Sequence, residues 1–190
     1  MQEIYGSLFD SVMADAICIT TNGFVNKQGA CSMGKGCAGD AKHRWPGIQM
    51  TLGKLIQQKG NRVHLLTGAD KVLPGYAGWA AHTLPYHLIT FPTKPDTFTA
   101  DANCSNVVEH MRHQATPGKS LPGWMSVSDL ELIEKGCMQL VELTNTHSLE
   151  SVVLPRPGVG AGQLSWEKHV RPVCEKYLDD RFYTITFEKE

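Results

Sequence analysis

Ala14-Asp15-Ala16-Ile17-Cys18-Ile19-Thr20-Thr21-Asn22-Gly23 is the stretch on which the reading of this chain turns. Residues 14–21 are nearly all apolar or β-branched, the pattern of a strand buried on both faces of a sheet. A glycine-rich loop follows, Gly29-Ala30-Cys31-Ser32-Met33-Gly34-Lys35-Gly36, and then a helical segment from Cys37 to Trp45 that Pro46-Gly47 stops. The same arrangement recurs near the other end. Ser151-Val152-Val153-Leu154 leads into Pro157-Gly158-Val159-Gly160-Ala161-Gly162-Gln163-Leu164 and then a helix over Trp166 to Tyr177. A strand–glycine loop–helix unit aims backbone N–H groups and the positive end of a helix at one spot, which suits phosphate. Two such units in one small domain point to a diphosphate held from both sides.

The bulk properties narrow the field. With 190 residues, 42% hydrophobic and 19% charged, the chain suits one domain with a real core. Its net charge of −1 provides no global positive field for nucleic acid. The six cysteines, Cys18, Cys31, Cys37, Cys104, Cys137 and Cys174, form no CxxC pair and read as reduced thiols. Met1-Gln2-Glu3-Ile4-Tyr5 has neither a basic nor an apolar leader region, and no apolar run is long enough to span a bilayer. A soluble cytoplasmic protein that engages no membrane is expected.

Working outward, residues 2–9 read as a short strand. Ile48 to Lys59 reads as a helix ended by Gly60-Asn61, and Val63–Leu66 and Tyr86–Phe91 read as strands. Val127 to Thr146 is the clearest helix, with Leu130, Ile133, Cys137, Leu140 and Val141 on one face and Ser126 or Ser128 as its cap. Phe182–Phe187 alternates with period two as a closing strand. Alternating strands and helices predict a three-layer α/β/α sandwich around a mixed, largely parallel sheet. The exception is Pro95 to Gly123, long, polar and rich in Pro, Gly, Asn and His, which reads as an insertion at about 95–123 in a single domain over 1–190.

Two nucleotide-binding readings fail on spacing. Gly29-x-x-x-x-Gly34-Lys35 matches a P-loop until Gly36, where a Ser or Thr should hold magnesium. Neither loop is GxGxxG with an acidic residue at the ribose-reading distance, so a dinucleotide dehydrogenase is disfavoured.

Four stretches in order do match a pattern. ADAICITTNG (Ala14 to Gly23), MGKGCAGDAKHRWPG (Met33 to Gly47), LITFPTK (Leu88 to Lys94) and VVLPRPGVGAGQLSW (Val152 to Trp166) resemble macrodomains, the ADP-ribose-binding family. The likeness is to the branch that contains the DarG antitoxins and the terminal ADP-ribose glycohydrolase. It covers most of the chain outside residues 95–123. The Gly-x-Gly-x-Gly-x-Leu-x-Trp pattern from Gly158 to Trp166 is similar to DarG in particular.

The resemblance implies an α/β/α macrodomain fold and a site that takes ADP-ribose or an ADP-ribosylated macromolecule, DNA or protein. Asn22 matches the asparagine at the distal ribose, and Lys94 the lysine that is catalytic in this branch. Gly34, Lys35 and Gly36, with Met33 beside them, match the first loop. Gly158, Val159, Gly160, Ala161 and Gly162 match the second loop, which clasps the diphosphate. A lysine suits the role because an amine attacks the ring-opened carbonyl form of the anomeric carbon, provided that burial or a nearby cation lowers its pKa. The implied activity is that of an ADP-ribosyl glycohydrolase with no cofactor and no metal, and its leading substrate is ADP-ribose on a DNA nucleobase. The alternatives are a non-catalytic ADP-ribose reader and an ADP-ribose 1″-phosphate phosphatase.

Two departures from the pattern stand out. Gly6-Ser7-Leu8 replaces the Gly-Asp-Ile whose Asp reads adenine, which leaves that task to Asp15 with Ala16, or to a backbone group. Gly162 stands where the glycohydrolase loop carries an Asp. Among the remaining residues, Trp166 reads as a core anchor and Asn22, by itself, as a turn cap. Trp79 or Trp124 could stack on a base, although packing is the default for either ring. His64, His82 and His87 read as structural. Cys104, His110 and His113 hint at a metal, but the ligand set is incomplete. The insertion itself is expected to fold over the ligand mouth or to meet the macromolecule that carries ADP-ribose.

Overall fold

The computed structural model describes residues 1–10, 14–66 and 87–187. Trp79, His82 and Tyr86 lie outside these. Among the described residues six strands form one sheet: β1 (Gln2–Tyr5), β2 (Ala16–Asn22), β3 (His64–Leu65), β4 (His87–Lys94), β7 (Val152–Pro155) and β8 (Phe182–Thr186). Their order is β1-β8-β7-β2-β4-β3, all parallel except the β3–β4 pair. A separate antiparallel hairpin pairs β5 (Thr97–Thr99) with β6 (Ser120–Pro122). The helices are α1 (Gly36–Arg44), α2 (Ile48–Lys59), α3 (Leu130–Thr146) and α4 (Arg171–Tyr177).

Period-two alternation in the central strands divides the core between two faces. Ile17, Ile19, Leu88 and Val153 pack with Ala38, Ala41, Trp45, Ile48 and Leu52 of the α1–α2 layer. Ala16, Cys18, Ile89, Phe91, Val152 and Leu154 pack with Ile133, Cys137, Leu140 and Cys174 of the α3–α4 layer. This is the expected three-layer α/β/α sandwich. The six cysteines are free thiols, and all but Cys37 are buried. Among the described residues no helix is long and apolar enough to cross a membrane.

Three boundaries depart from the sequence reading, each for a local reason. The first strand ends at Tyr5, because Gly6 turns the chain at φ 144° and sends Leu8 and Phe9 into the core. Helix α3 begins at Leu130 rather than Val127, and neither Ser126 nor Ser128 caps it. The amides of Val127, Ser128 and Asp129 are committed to the carbonyls of Asn106, Gly162 and Thr93, which keeps this segment extended. The cap is Asp129, whose Oδ1 accepts from the amides of Glu131 (2.9 Å) and Leu132 (3.1 Å). Asp129→Ala is expected to cost about 1 kcal/mol in a chemical denaturation midpoint with the fold retained. The last helical segment opens with a π-turn over Trp166–Val170, in which the Ser165 carbonyl accepts from both His169 and Val170. Pro172, with no N–H, follows at the start of α4.

The 95–123 segment has a structure of its own. Asp101 accepts from the Ser105 hydroxyl and from the amides of Asn103, Ser105 and Asn106 in a tight turn. These hydrogen bonds, that of the Ser105 hydroxyl foremost, hold its carboxyl below the usual range. Ala100, Cys104 and Val107 make a small core with Phe98, Met111 and Leu121.

Candidate active site

In a parallel sheet, ligands bind beyond the carboxyl ends of the strands, near the point where the strand order reverses. Here β2, β4 and β7 end side by side, and a cavity of about 630 Å³ opens above them. That volume suits a small organic ligand. Its walls include the ends of all three strands, both glycine loops, the start of α1 and the 95–123 segment.

Lys94 owes its placement to Pro92. A proline has no N–H for a ladder and is tolerated within a sheet at a bulge. The β2–β4 register slips there, from Thr21 opposite Pro92 to Asn22 opposite Lys94, while the Thr93 hydroxyl donates to the Thr21 carbonyl. A bulge re-aims the side chain that follows it. Asn22 and Lys94, 72 positions apart, thereby become register partners at one end of the sheet.

Lys94 is only 8% exposed. Its Nζ donates to the Ala161 carbonyl at 3.0 Å and to the Trp124 carbonyl at 3.2 Å. Burial, and secondarily the Lys35 ammonium, bring its pKa from 10.5 down to about 8. A neutral amine has two N–H bonds. With both given to these carbonyls, the lone pair is the valence left for a ligand.

Asn22 ties the first loop together. Its Nδ2 donates to the Ser32 carbonyl at 2.7 Å, and its Oδ1 accepts from the Phe24 amide at 3.0 Å. One N–H and one lone pair remain. Helix α1 starts at this loop with no side-chain cap. Among the described residues the amides of Gly34 and Lys35 meet no acceptor, and neither do those of Gly160, Ala161 and Gly162 on the second loop. Open N–H groups on both sides of one cavity form an anion cradle. The cavity's cations are Lys35, Arg44, Lys94 and Arg156, and its one carboxylate among the described residues is that of Asp40. Arg156 is paired with Glu3 at 2.9 Å.

The glycines of the second loop serve different ends. At Gly160 a Cβ would meet nothing within 4 Å, so that face is left to a ligand. At Gly158, φ is 75° and a Cβ would lie 2.8 Å from Ile133 Cδ1. Gly160→Ala is therefore expected to leave thermal stability unchanged within about 0.5 kcal/mol. It should weaken a diphosphate ligand by tenfold or more in calorimetry.

The structure gathers Asn22, Gly34, Lys35, Gly36, Lys94, Gly158, Gly160, Ala161 and Gly162 around one cavity. Met33 and Val159 sit in the same loops but face the core. Asp15 and Ala16 are elsewhere. They stand at the amino end of β2, a strand's length from the cavity, where the Asp15 carboxylate accepts from the amides of Glu150 (2.7 Å) and Ser151 (2.9 Å). Asp15 joins the starts of neighbouring strands and is not placed to read a base in this cavity. The end of the cavity beside Gly6 and Ser7 is formed instead by Phe9, Ile185 and Phe187, with Arg44 over the Phe9 ring at 4.6 Å.

The three candidate metal ligands point apart. Cys104 is in the small core, His110 Nε2 lies 3.0 Å from Lys35 Nζ, and His113 meets Gln114. His64 is buried, with Nε2 donating to the Gly60 carbonyl at 2.9 Å. Trp166 is 3% exposed and donates to Glu3 beneath the second loop, as an anchor should. Met111 and Phe9 carried no sequence signal, since only the fold brings them to the cavity. Arg156 lies in the matched stretch just before the second loop, but its sequence context alone gave it no role.

A three-layer sandwich of this strand order, with two glycine loops over the carboxyl ends of its parallel strands, is the macrodomain fold. No protein-family model and no curated protein sequence matches the chain. Solved structures do. The macrodomain of Mycobacterium tuberculosis DarG matches 98% of this chain over 99% of its own, with a TM-score of 0.63 and 20% identity. Thermosipho africanus DarTG, solved in complex with ADP-ribose, matches the whole chain over 43% of its own, with a TM-score of 0.66 and 19% identity. An Oceanobacillus iheyensis macrodomain solved with ADP matches 99% of this chain over 83% of its own, at a TM-score of 0.56 and 11% identity.

Proposed function

We propose that this chain is a single cytoplasmic macrodomain over residues 1–190. It binds ADP-ribose in the two-loop cavity and removes ADP-ribose from a macromolecule, with a DNA nucleobase as the leading attachment point. The observation that carries this reading is Lys94: a buried amine with its pKa brought down to about 8, oriented by two carbonyls beside the amide cradle of the two loops. Cradling the diphosphate would hold the distal ribose against that amine, the geometric part of catalysis. The neutral amine adds to the anomeric carbon as the bond to the macromolecule breaks. The electron pair passes to the departing atom, which takes up a proton. The nitrogen gives up a proton, and opening of the ribose ring turns the adduct into a Schiff base. Water then hydrolyses the lysine adduct, releasing ADP-ribose and restoring the amine. Asn22 keeps one donor and one acceptor for the distal ribose while bracing the loop beside it.

Calorimetry with ADP-ribose tests the binding. Incubation with ADP-ribosylated DNA and protein, with borohydride added to reduce a lysine adduct, tests the chemistry. A trapped adduct on Lys94 is the expected result, and release that survives Lys94→Ala would defeat the lysine mechanism. A reader that only holds ADP-ribose is the second reading. It is favoured by the two carbonyls on Nζ, which also stabilise a protonated, unreactive ammonium. Firm binding without release would establish it.

A further inference from the structure

His110 belongs to the 95–123 segment, outside the stretches that resemble macrodomains, yet it lines the cavity with Lys35 and Lys94. We infer that His110 is a positioning residue for this site: it anchors the Lys35 side chain and through that cation governs the Lys94 amine. The consequence for ADP-ribose release rests on the proposed role of Lys94, while the anchoring itself does not.

Lys35 has little in its own loop to fix it. It is exposed and stands between Gly34 and Gly36, and at either glycine a Cβ would meet nothing within 4 Å. A long lysine side chain on such a loop keeps its charge in water unless a partner holds it. His110 is that partner, with Nε2 3.0 Å from Lys35 Nζ. An ammonium has three donors and no acceptor, so Lys35 donates and Nε2 accepts, which puts the imidazole proton on Nδ1.

The imidazole is carried on well-tied backbone. Val107 and Val108 before it are buried, and the Val108 amide donates to the Met125 carbonyl at 2.9 Å. The Glu109 amide donates to Gln163 Oε1 at 3.0 Å, and Arg112 Nε to the Val107 carbonyl at 3.2 Å. The 3₁₀ segment Glu109–Gln114 thereby bridges the second loop at Gln163 and the first at Lys35. Held there, the Lys35 charge acts on Lys94 and disfavours its protonated form. The other charged groups on the cavity wall are Asp40 and Arg44 of α1, and Arg156, which is paired with Glu3. On its own segment His110 is flanked by Glu109, Arg112 and His113, none of which lines the cavity.

The test follows Lys94 itself, by NMR titration of protein labelled in its lysine side chains, with no ligand present. The signal is identified by its loss in Lys94→Met. His110→Leu should raise the midpoint by about half a pH unit, because the freed Lys35 charge moves into water. His110→Gln offers an amide oxygen to the same ammonium and should stay within about 0.2 unit of the unaltered protein. In a Lys35→Met background, His110→Leu should add nothing. Single-turnover release should follow the titration, with His110→Leu about threefold slower at pH 7 and equal to the unaltered protein at about pH 9.5. An unmoved midpoint in His110→Leu, or a shift that persists without Lys35, overturns the positioning role and leaves the reading of Lys94 intact. A shifted midpoint together with release that survives Lys94→Ala sinks the lysine mechanism and keeps the positioning.

Discussion

Lys94→Ala is expected to reduce ADP-ribose release by on the order of 10³-fold or more, while affinity for free ADP-ribose changes by less than about threefold. The asymmetry follows from geometry, since the diphosphate is held by loop amides and the lysine meets only the reacting carbon. Lys94→Arg should fail as completely, because a guanidinium stays protonated and is no nucleophile. The pH profile carries the signature. With a pKa of about 8, about a tenth of the amine is neutral at pH 7, against well under 0.1% for an ordinary lysine. Release should rise about tenfold per pH unit up to pH 7 and level off above pH 8. Lys35→Met removes one of the two causes of the low pKa, so it should move this limb to higher pH. Single-turnover rates across pH 5.5–9.5 check both, and a profile flat through pH 7–8 would contradict the assignment.

The same depressed pKa makes Lys94 a burden on folding, with a definite sign. Its folded value lies below its unfolded one, so the unfolded chain binds more protons between about pH 8 and 10.5. Stability from this group therefore rises with pH through that window, and below it the full cost applies. Lys94→Met should be inactive yet melt higher at neutral pH. The gain is about 1–3 kcal/mol, because an apolar side chain fills the buried path without the charge.

Gly162→Asp should be the more damaging substitution, although it restores the carboxylate of the glycohydrolase-type loop. A Cβ at residue 162 would lie 2.0 Å from Ser128 Oγ and 2.4 Å from the Gly158 carbonyl oxygen. The Ser128 amide is itself bound to the Gly162 carbonyl at 2.9 Å. Backbone must move for any side chain to enter, and the second loop would lose the form that presents its amides. A fall in affinity for ADP-ribose of more than 100-fold and a destabilisation of about 3 kcal/mol or more are expected, read by calorimetry and thermal melting. Ser128→Gly in the same chain should relieve only part of this, because the Gly158 oxygen remains. A Gly162→Asp protein with unchanged affinity would show that the loop reshapes freely.

The two glycine loops were legible because glycine spacing after an apolar strand reports backbone chemistry, which is local. The strands and helices around them followed from periodicity to within a few residues. The start of α3 was not legible, because Val127, Ser128 and Asp129 are held extended by acceptors on three remote segments. Asp15 was misplaced for a related reason. A carboxylate just before a buried strand is equally plausible at either end of a sheet until the strand direction is known.

Local order along the chain thus determined that strands alternate with helices, that two amide cradles exist, and that a lysine ends a central strand. Tertiary structure alone decided that both cradles face one cavity, that Pro92 bends β4 to set Lys94 beside Asn22, and that the Trp124 and Ala161 carbonyls hold the amine. The physical reason is range. Backbone propensity and side-chain period act over a few residues, whereas burial and electrostatic shift at Lys94 depend on groups that are distant in sequence and meet only when the sheet assembles.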